Sequence, residues 1–324
     1  MSTPSLSLLD LVPTYQTQRP GESLAGSVEL AQLAERFGFK RVWYAEHHNF
    51  RAIASAAPAI IIAHVAAHTS TIRVGSGGVM LPNHVPYMIA EQFGTLAELY
   101  PSRIDLGVGR APGTDGKTLA QALRRPPEAA GNFESDVTQL RAFLSDTSPI
   151  PGIQAFPGAG TNVPIYILGS SLYGAGVAAR LGLPFGFASH FAPAALHHAI
   201  AHYREHFVPS TSAPDPYVIA TVNVIAAPDS ETARHRHQQV VRQWIRIMNP
   251  AAAQLDDAQI DAIISSGMVQ PLMDMLRYTA VGNPQEVRDY LQKFAADTSA
   301  DELMLCLRAV KHQDAKESLM LIGS

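Results

Sequence analysis

Apolar positions along this chain follow two alternating rhythms. Short runs rich in β-branched, aromatic and other apolar residues fall at residues 6–12, 42–45, 72–74, 103–108, 165–168, 185–189, 217–226 and 302–307. Bounded by Gly, Pro or polar clusters, they read as strands. Between them apolar residues recur at offsets of three and four: Leu30, Leu33, Ala34 and Phe37, then Ile89, Phe93, Leu96 and Tyr100, then Val240, Val241, Trp244, Ile247 and Met248. That period marks helices with one buried face. Pro86 suits a first helical turn, Pro101 stops the run that follows, and Gly38 sits where a helix commonly ends. Asn283-Pro284-Gln285-Glu286 is a capping signature, with Asn at the N-cap, Pro at the first position and Glu at the third.

Eight strands alternating with helices predict an α/β fold: one (β/α)8 TIM-type barrel with an all-parallel sheet. An open doubly wound sheet would place a GxGxxG turn after its first strand, whereas this one ends in Val12-Pro13-Thr14. Residues 1–324 are read as a single barrel domain. Two stretches exceed the alternation. Residues 149–164, after strand four's helix, have no helical period and are read as an insertion of hairpin type. Residues 250–276, after strand seven's helix, are read as a helical insertion. Another helix, rich in histidine, is expected over 193–207.

Charge and composition narrow the function. A formal net charge of −4 over 324 residues argues against a partner held by phosphate neutralisation, as nucleic acid would be. The apolar run around Ile60, Ile61 and Ile62 is broken by His64 and His68 and is too short to span a bilayer. With no leader pattern at the start, a cytoplasmic location without membrane attachment is expected. The single cysteine, Cys306, lies inside the last strand, so neither an internal disulfide nor a Cys-rich metal site is expected.

Candidate chemistry collects at the carboxyl ends of the strands, where barrels of this kind bind ligands. Glu46-His47-His48 follows strand two, Gly77-Gly78 ends strand three, Arg110 follows strand four, and Gly169-Ser170-Ser171-Leu172-Tyr173-Gly174 links strand five to its helix. An imidazole titrating near neutrality suits proton transfer at His47, set against an ordinary hydrogen-bonded loop histidine. Gly77-Gly78 either makes a tight bend or lets a ligand approach the backbone. Arg110 is either a rim ion pair or a bidentate phosphate holder. Free N–H groups at the helix start, with the hydroxyls of Ser170 and Ser171, make an anion site, although either serine could simply cap the helix. A metal site built from His47, His48, His84 and His190 is disfavoured, because adjacent histidines on extended backbone diverge and no HxH follows strand one. His197, His198, His202 and His206 read as a solvated face.

The segments GSGGVMLPNH, AEQFGTL and RIDLGVGRAPGTD resemble the luciferase-like flavin monooxygenase family, and the resemblance runs from Leu6 to Leu307. It implies that His47 faces the flavin ring and assists proton transfer, and that Gly77-Gly78 carries a non-proline cis peptide under that ring. It places the flavin phosphate between Arg110 and Gly169, Ser170, Ser171, Tyr173 and Gly174. Two departures stand out: Gly109 where some luciferases have cysteine, and Ser170 where luciferases proper have glutamate. The implied reaction takes reduced FMN as a co-substrate, delivered by a separate flavin reductase, and uses O2 to oxygenate a small organic substrate. Deazaflavin-dependent hydride transfer and a non-catalytic flavin-binding subunit are the alternatives. The connection after Arg110 and the insertion at 250–276 are expected to act as lids. Pairing through the apolar helices at 56–67 and 89–99 would make a homodimer.

Overall fold

The computed structural model describes residues 4–15 and 18–323, and in it the apolar runs become parallel strands joined by helical returns. The first half runs β1 (Ser5–Asp10), α1 (Pro20–Arg36), β2 (Arg41–Tyr44), α2 (Pro58–Ala67), β3 (Arg73–Met80), α3 (Pro86–Leu99), β4 (Ile104–Gly109) and α4 (Phe133–Leu144). The next units are β5 (Ile165–Gly169), α5 (Leu172–Leu181), β6 (Phe185–Phe187), α6 (Leu196–Glu205), β7 (Val218–Ala226) and α7 (Ser230–Met248). The chain continues through α8 (Asp257–Ser265), α9 (Gln270–Met275), β8 (Thr279–Gly282), α10 (Pro284–Thr298), β9 (Glu302–Leu307) and α11 (His312–Gly323).

Eight strands close a parallel barrel in the order β1-β2-β3-β4-β5-β6-β7-β9, with β9 paired to β1. This is the expected (β/α)8 architecture, with one added strand. Residues 279–282, where the sequence carries no strand signal, form β8. Asn223 pairs with Cys306 of β9 on one edge of β7 and with Thr279 of β8 on the other. β8 therefore extends the edge that β6 occupies lower down, at Val218, Ile219 and Ala220. The nine-residue β7 outruns its barrel neighbour β6, and β8 satisfies the backbone groups left over.

Helix boundaries follow the sequence signals. Proline opens α1, α2, α3 and α10. At α10, Asn283 Oδ1 accepts from the backbone N–H of Gln285 and Glu286, while the Glu286 carboxylate accepts from Asn283 N at 2.8 Å. Gly182 closes α5 in the left-handed conformation. α6 is shorter than the expected 193–207, and β6 ends at Phe187 rather than at 189.

The hairpin expected at 149–164 does not form. That segment is a series of turns laid against α3: Tyr87 Oη donates to the Gln154 carbonyl at 2.9 Å, and a Cβ on Gly94 would lie 2.0 Å from Gly158 Cα. The loop packs on a helix face instead of pairing with itself. The second insertion is helical as expected, through α8 and α9, and packs on α7 through Val241, Ile245, Ile260 and Leu276.

Inside the barrel the amino-terminal end is sealed by charge. Arg41 is bonded to Asp105 at 2.7 Å and to Glu302 at 3.2 Å, and Arg73 and Trp43 also donate to Asp105. These groups are paired and hydrogen-bonded, as buried charges must be. Above them Leu9, Trp43, Tyr166, Ile219 and Met304 form an apolar layer. That layer is the floor on which the carboxyl-terminal end opens.

Candidate active site

A cavity of about 520 Å³ occupies the carboxyl-terminal mouth, a size suited to a small organic ligand. His47, Gly77, Gly78, Arg110, Gly169, Ser170, Ser171, Tyr173 and Gly174 all line it. The barrel thus brings the four strand-end motifs to one space. Leu9, Trp43, Ile219 and Met304 from the apolar layer also contribute to its wall.

His47 leaves β2 with its backbone N–H donating to the Ser55 carbonyl at 2.9 Å. Its Nδ1 is buried and has no partner among the described residues. Burial lowers its pKa, outweighing the opposing pull of Glu46, and His48 lowers it further. The imidazole is therefore neutral at pH 7, with a nitrogen free to accept or donate a proton.

The neighbours of His47 do a different job. Glu46 is 1% exposed, and its Oε1 is bonded at 2.8 Å by both His48 Nε2 and His84 Nε2. Its Oε2 accepts from Met80 N at 3.1 Å. One carboxylate thus ties the end of β2 to the end of β3 and orients both histidines away from ligand duty. Among the described residues no three His, Cys, Asp or Glu side chains converge as metal ligands would.

The Gly77–Gly78 peptide is cis, and the β3–β4 register shifts across it. A Cβ on Gly77 would approach Leu9 Cδ1 and Trp43 Cβ at 2.9 Å, and one on Gly78 would meet Gly107 O and Leu168 Cδ1 at 2.7 Å. Only glycine lets β3 lie this close to its neighbours, leaving bare backbone on the cavity wall. Gly169 and Gly174 face one another less tightly, each Cβ position falling 3.4 Å from the other's Cα, an ordinary packing distance.

Arg110 stands one residue beyond β4, its guanidinium 4.1 Å from the centre of the Tyr173 ring. That face-on contact holds the cation toward α5. Ser171 is the N-cap residue of α5, but its hydroxyl makes no capping hydrogen bond. The simple capping alternative therefore loses its contact, and the first N–H groups of α5 keep their anion-binding capacity. Cation, hydroxyls and helix start together form a donor set suited to phosphate.

Similarity to known proteins accords with this arrangement. A family model for luciferase-like monooxygenases matches residues 7–302. The chain belongs to the luciferase-like monooxygenase family. A relative named luciferase-like monooxygenase from Escherichia coli (strain K12) is 41% identical over 321 residues, covering 98% of this chain and 96% of that protein. The crystal structure of apo-MsnO8 superposes with a TM-score of 0.89 at 36% identity, covering 99% and 96% of the two chains. At the level of fold alone, the chain is similar to the FMN-bound oxygenating constituent of 3,6-diketocamphane monooxygenase from Pseudomonas putida, with a TM-score of 0.73, 14% identity and coverage of 99% and 96%. An F420-dependent secondary alcohol dehydrogenase is as close in fold, at 0.71 and 17%, covering 99% and 98%.

Three polar side chains of the cavity have a place that the sequence reading does not give them: His190 after β6, considered there only for a disfavoured metal site, Trp244 on α7, read only as a buried helix position, and Arg308 after β9. Arg308 repeats the placement of Arg110, one residue past a strand, and that regularity was legible. The approach of Trp244 was not, because it depends on how α7 packs.

Proposed function

We propose that this protein is a flavin-dependent monooxygenase that takes reduced FMN from a separate flavin reductase and uses O2 to oxygenate a small organic substrate. The observation that carries this reading is the convergence on one cavity of a phosphate-type donor set, a bare glycine shelf and a buried neutral imidazole with a free nitrogen. The residues present fit the cofactor. Arg110, Ser170, Ser171 and the start of α5 would hold the phosphate, and Gly77 and Gly78 would lie against the ring system.

Bound reduced FMN would supply two electrons, so that one oxygen atom of O2 enters the substrate and the other leaves as water. The chain's own contributions are proton handling and dryness. His47 holds or accepts a proton at Nδ1, and its depressed pKa keeps it in the neutral form that can do either. Ala111 after β4, Phe133 at the start of α4, Met248 at the end of α7 and Met275 in the second insertion add apolar atoms to the cavity lining. The connection after Arg110 and the insertion at 250–276, which supply Ala111 and Met275, are the candidate lids that limit water at the reacting centre.

The deazaflavin reading rests on fold likeness alone, and a non-catalytic subunit would have no need of an unpaired buried imidazole. Titrating the purified protein with reduced FMN and reduced deazaflavin separates the first pair; tighter binding of the deazaflavin overturns the FMN assignment. Supplying NADH, a flavin reductase and FMN with a panel of small substrates tests oxygenation directly. Flavin binding without any substrate turnover across that panel would favour the non-catalytic subunit.

The protein is further proposed to pair as a homodimer through α2 and α3. Ile61, Ile62, Val65, Ile89 and Phe93 pack against the barrel, but Ile60, Met88 and Leu99 remain exposed on the same two helices. Cytoplasmic placement remains part of this proposal, and among the described residues no helix is long and apolar enough to cross a membrane.

A further inference from the structure

The cavity has two arginines, and they stand opposite one another. Arg110 follows β4 and Arg308 follows β9, strands that are four steps apart in either direction around the closed ring. Both line the same space. The Arg110 side matches a flavin phosphate, which leaves Arg308 without an assigned ligand.

Arg308 also lacks the carboxylate that several other arginines of this chain have beside them. Arg41, Arg236, Arg242 and Arg246 are each neutralised by a carboxylate at 2.7 Å or less. Among the described residues, Arg308 makes no such ion pair. Its Nε donates to Asn223 Oδ1 at 2.7 Å, and its guanidinium lies 5.2 Å from the centre of the Trp244 ring. Asn223 Nδ2 in turn donates to the His190 carbonyl at 2.8 Å. The head group is thus fixed on two sides, while its two terminal nitrogens have no partner among the described residues.

Two more polar groups here are incomplete. His190 is 6% exposed and its Nδ1 has no partner among the described residues; the same holds for the buried Trp244 Nε1. An indole N–H can only donate, and an imidazole nitrogen donates in one tautomer. Burial pushes the His190 pKa well down, and Arg308 and His47 add to that shift. The ring is therefore neutral and does not compete with Arg308 as a cation. Buried polar groups in native proteins are nearly always satisfied, so a cation and two such groups on one cavity wall point to a ligand that accepts from them.

We propose that Arg308, Trp244 and His190 form a second anion site, facing the Arg110 site, that binds a carboxylate of the substrate. The substrate is then a small organic acid, anchored by its charged end on the β9 side while its apolar part lies on the Leu9, Trp43, Ile219 and Met304 floor. The proposal rests on the reading of this cavity as the oxygenation site and specifies the substrate class for it.

The test is calorimetric titration of the full-length protein, with and without saturating FMN, using hexanoate and benzoate beside hexanamide and benzamide as neutral counterparts. The acids should bind about tenfold or more tighter than the amides, as one charge-assisted contact implies. Arg308→Gln should bring acid and amide to parity, and Arg308→Lys should keep part of the difference. Arg110→Gln should keep the acid preference while losing the preference for FMN over riboflavin. If wild type lacks that FMN preference, the phosphate assignment fails, whereas the acid series still reports on Arg308. Failure of either acid to bind overturns the proposal, as does equal binding of acid and amide. Loss of the acid preference in Arg110→Gln instead of Arg308→Gln also overturns it, as would Arg308→Gln weakening only FMN. Circular dichroism checks each variant, and if Arg308→Gln does not fold, Arg308→Lys decides, with an undiminished preference counting against the site.

Discussion

Replacing Glu46 with glutamine removes the charge that joins the ends of β2 and β3 beneath His47. The carboxylate accepts three hydrogen bonds: from His48 and His84 at 2.8 Å each, and from Met80 N at 3.1 Å. An amide keeps one acceptor oxygen and turns a donor toward either the histidines or the Met80 N–H. Two charge-assisted bonds weaken and one buried contact is lost, for a total of about 2–4 kcal/mol. With an unfolding entropy of about 2.1 cal/mol/K per residue over 324 residues, that lowers the melting temperature by about 3–6 °C.

The pH dependence gives a sharper check. Burial raises the Glu46 pKa, but the bonds from His48 and His84 outweigh it, so the folded value lies below the ordinary 4.5. Its contribution is present above pH 4.5 and is lost as pH falls through the folded value. His48 is raised above 6.5, chiefly by its bond to Glu46 and against partial burial. That contribution is complete below pH 6.5 and is lost as pH rises through the raised value. Glutamine supports neither shift. The gap in melting temperature between wild type and Glu46→Gln should therefore peak between pH 4.5 and 6.5 and narrow on both sides. Thermal melts at a fixed scan rate from pH 4 to 9 measure it. A gap that is flat with pH, or that widens from pH 7 to 9, would refute the reasoning.

Arg110→Ala should weaken reduced-FMN binding by about tenfold to a hundredfold and erase the preference for FMN over riboflavin, with near-normal turnover at saturating flavin. His47→Ala should do the reverse, keeping FMN affinity within a few-fold while single-turnover oxidation slows by about 10²–10⁴-fold. Wild-type behaviour of either variant in those two assays removes the role assigned to that residue. Gly78→Ala would drive a Cβ to 2.7 Å from the Gly107 carbonyl, a backbone atom that cannot turn aside, so a loss of about 1–3 kcal/mol and weaker flavin binding are expected; an unchanged melt contradicts this. Light scattering should report a dimer at micromolar concentration, shifted toward monomer by a charge at the exposed Ile60; a monomeric wild type ends that proposal.

Much of the molecule could be read along the chain because its determinants are local. The α10 capping box, the proline starts of α2 and α3 and the left-handed Gly182 each depend on a few consecutive residues. The strand–helix alternation fixed the barrel, and since parallel barrels present every strand's carboxyl end at one mouth, His47, Gly77, Gly78, Arg110 and Ser170 were bound to meet.

What the sequence left open are pairings between distant segments. β8 is four residues, Thr279–Gly282, with no strand signature of its own; it exists because β7 outruns β6 and leaves backbone groups to satisfy. The turns at 149–164 carry the glycines and prolines of a hairpin, but the close contact of Gly158 with Gly94 holds them against α3. Glu46 and His84 lie 38 residues apart, and Arg308 and Asn223 lie 85 apart. No local pattern reports such distances. By itself the sequence determined the barrel and which strand ends bring the candidate residues to its mouth, because periodicity, caps and turns act over a few residues. Only the tertiary structure decided which side chains are held by Glu46, which remain unpartnered and which arginine faces which, because those outcomes depend on packing between segments that meet only once the ring has closed.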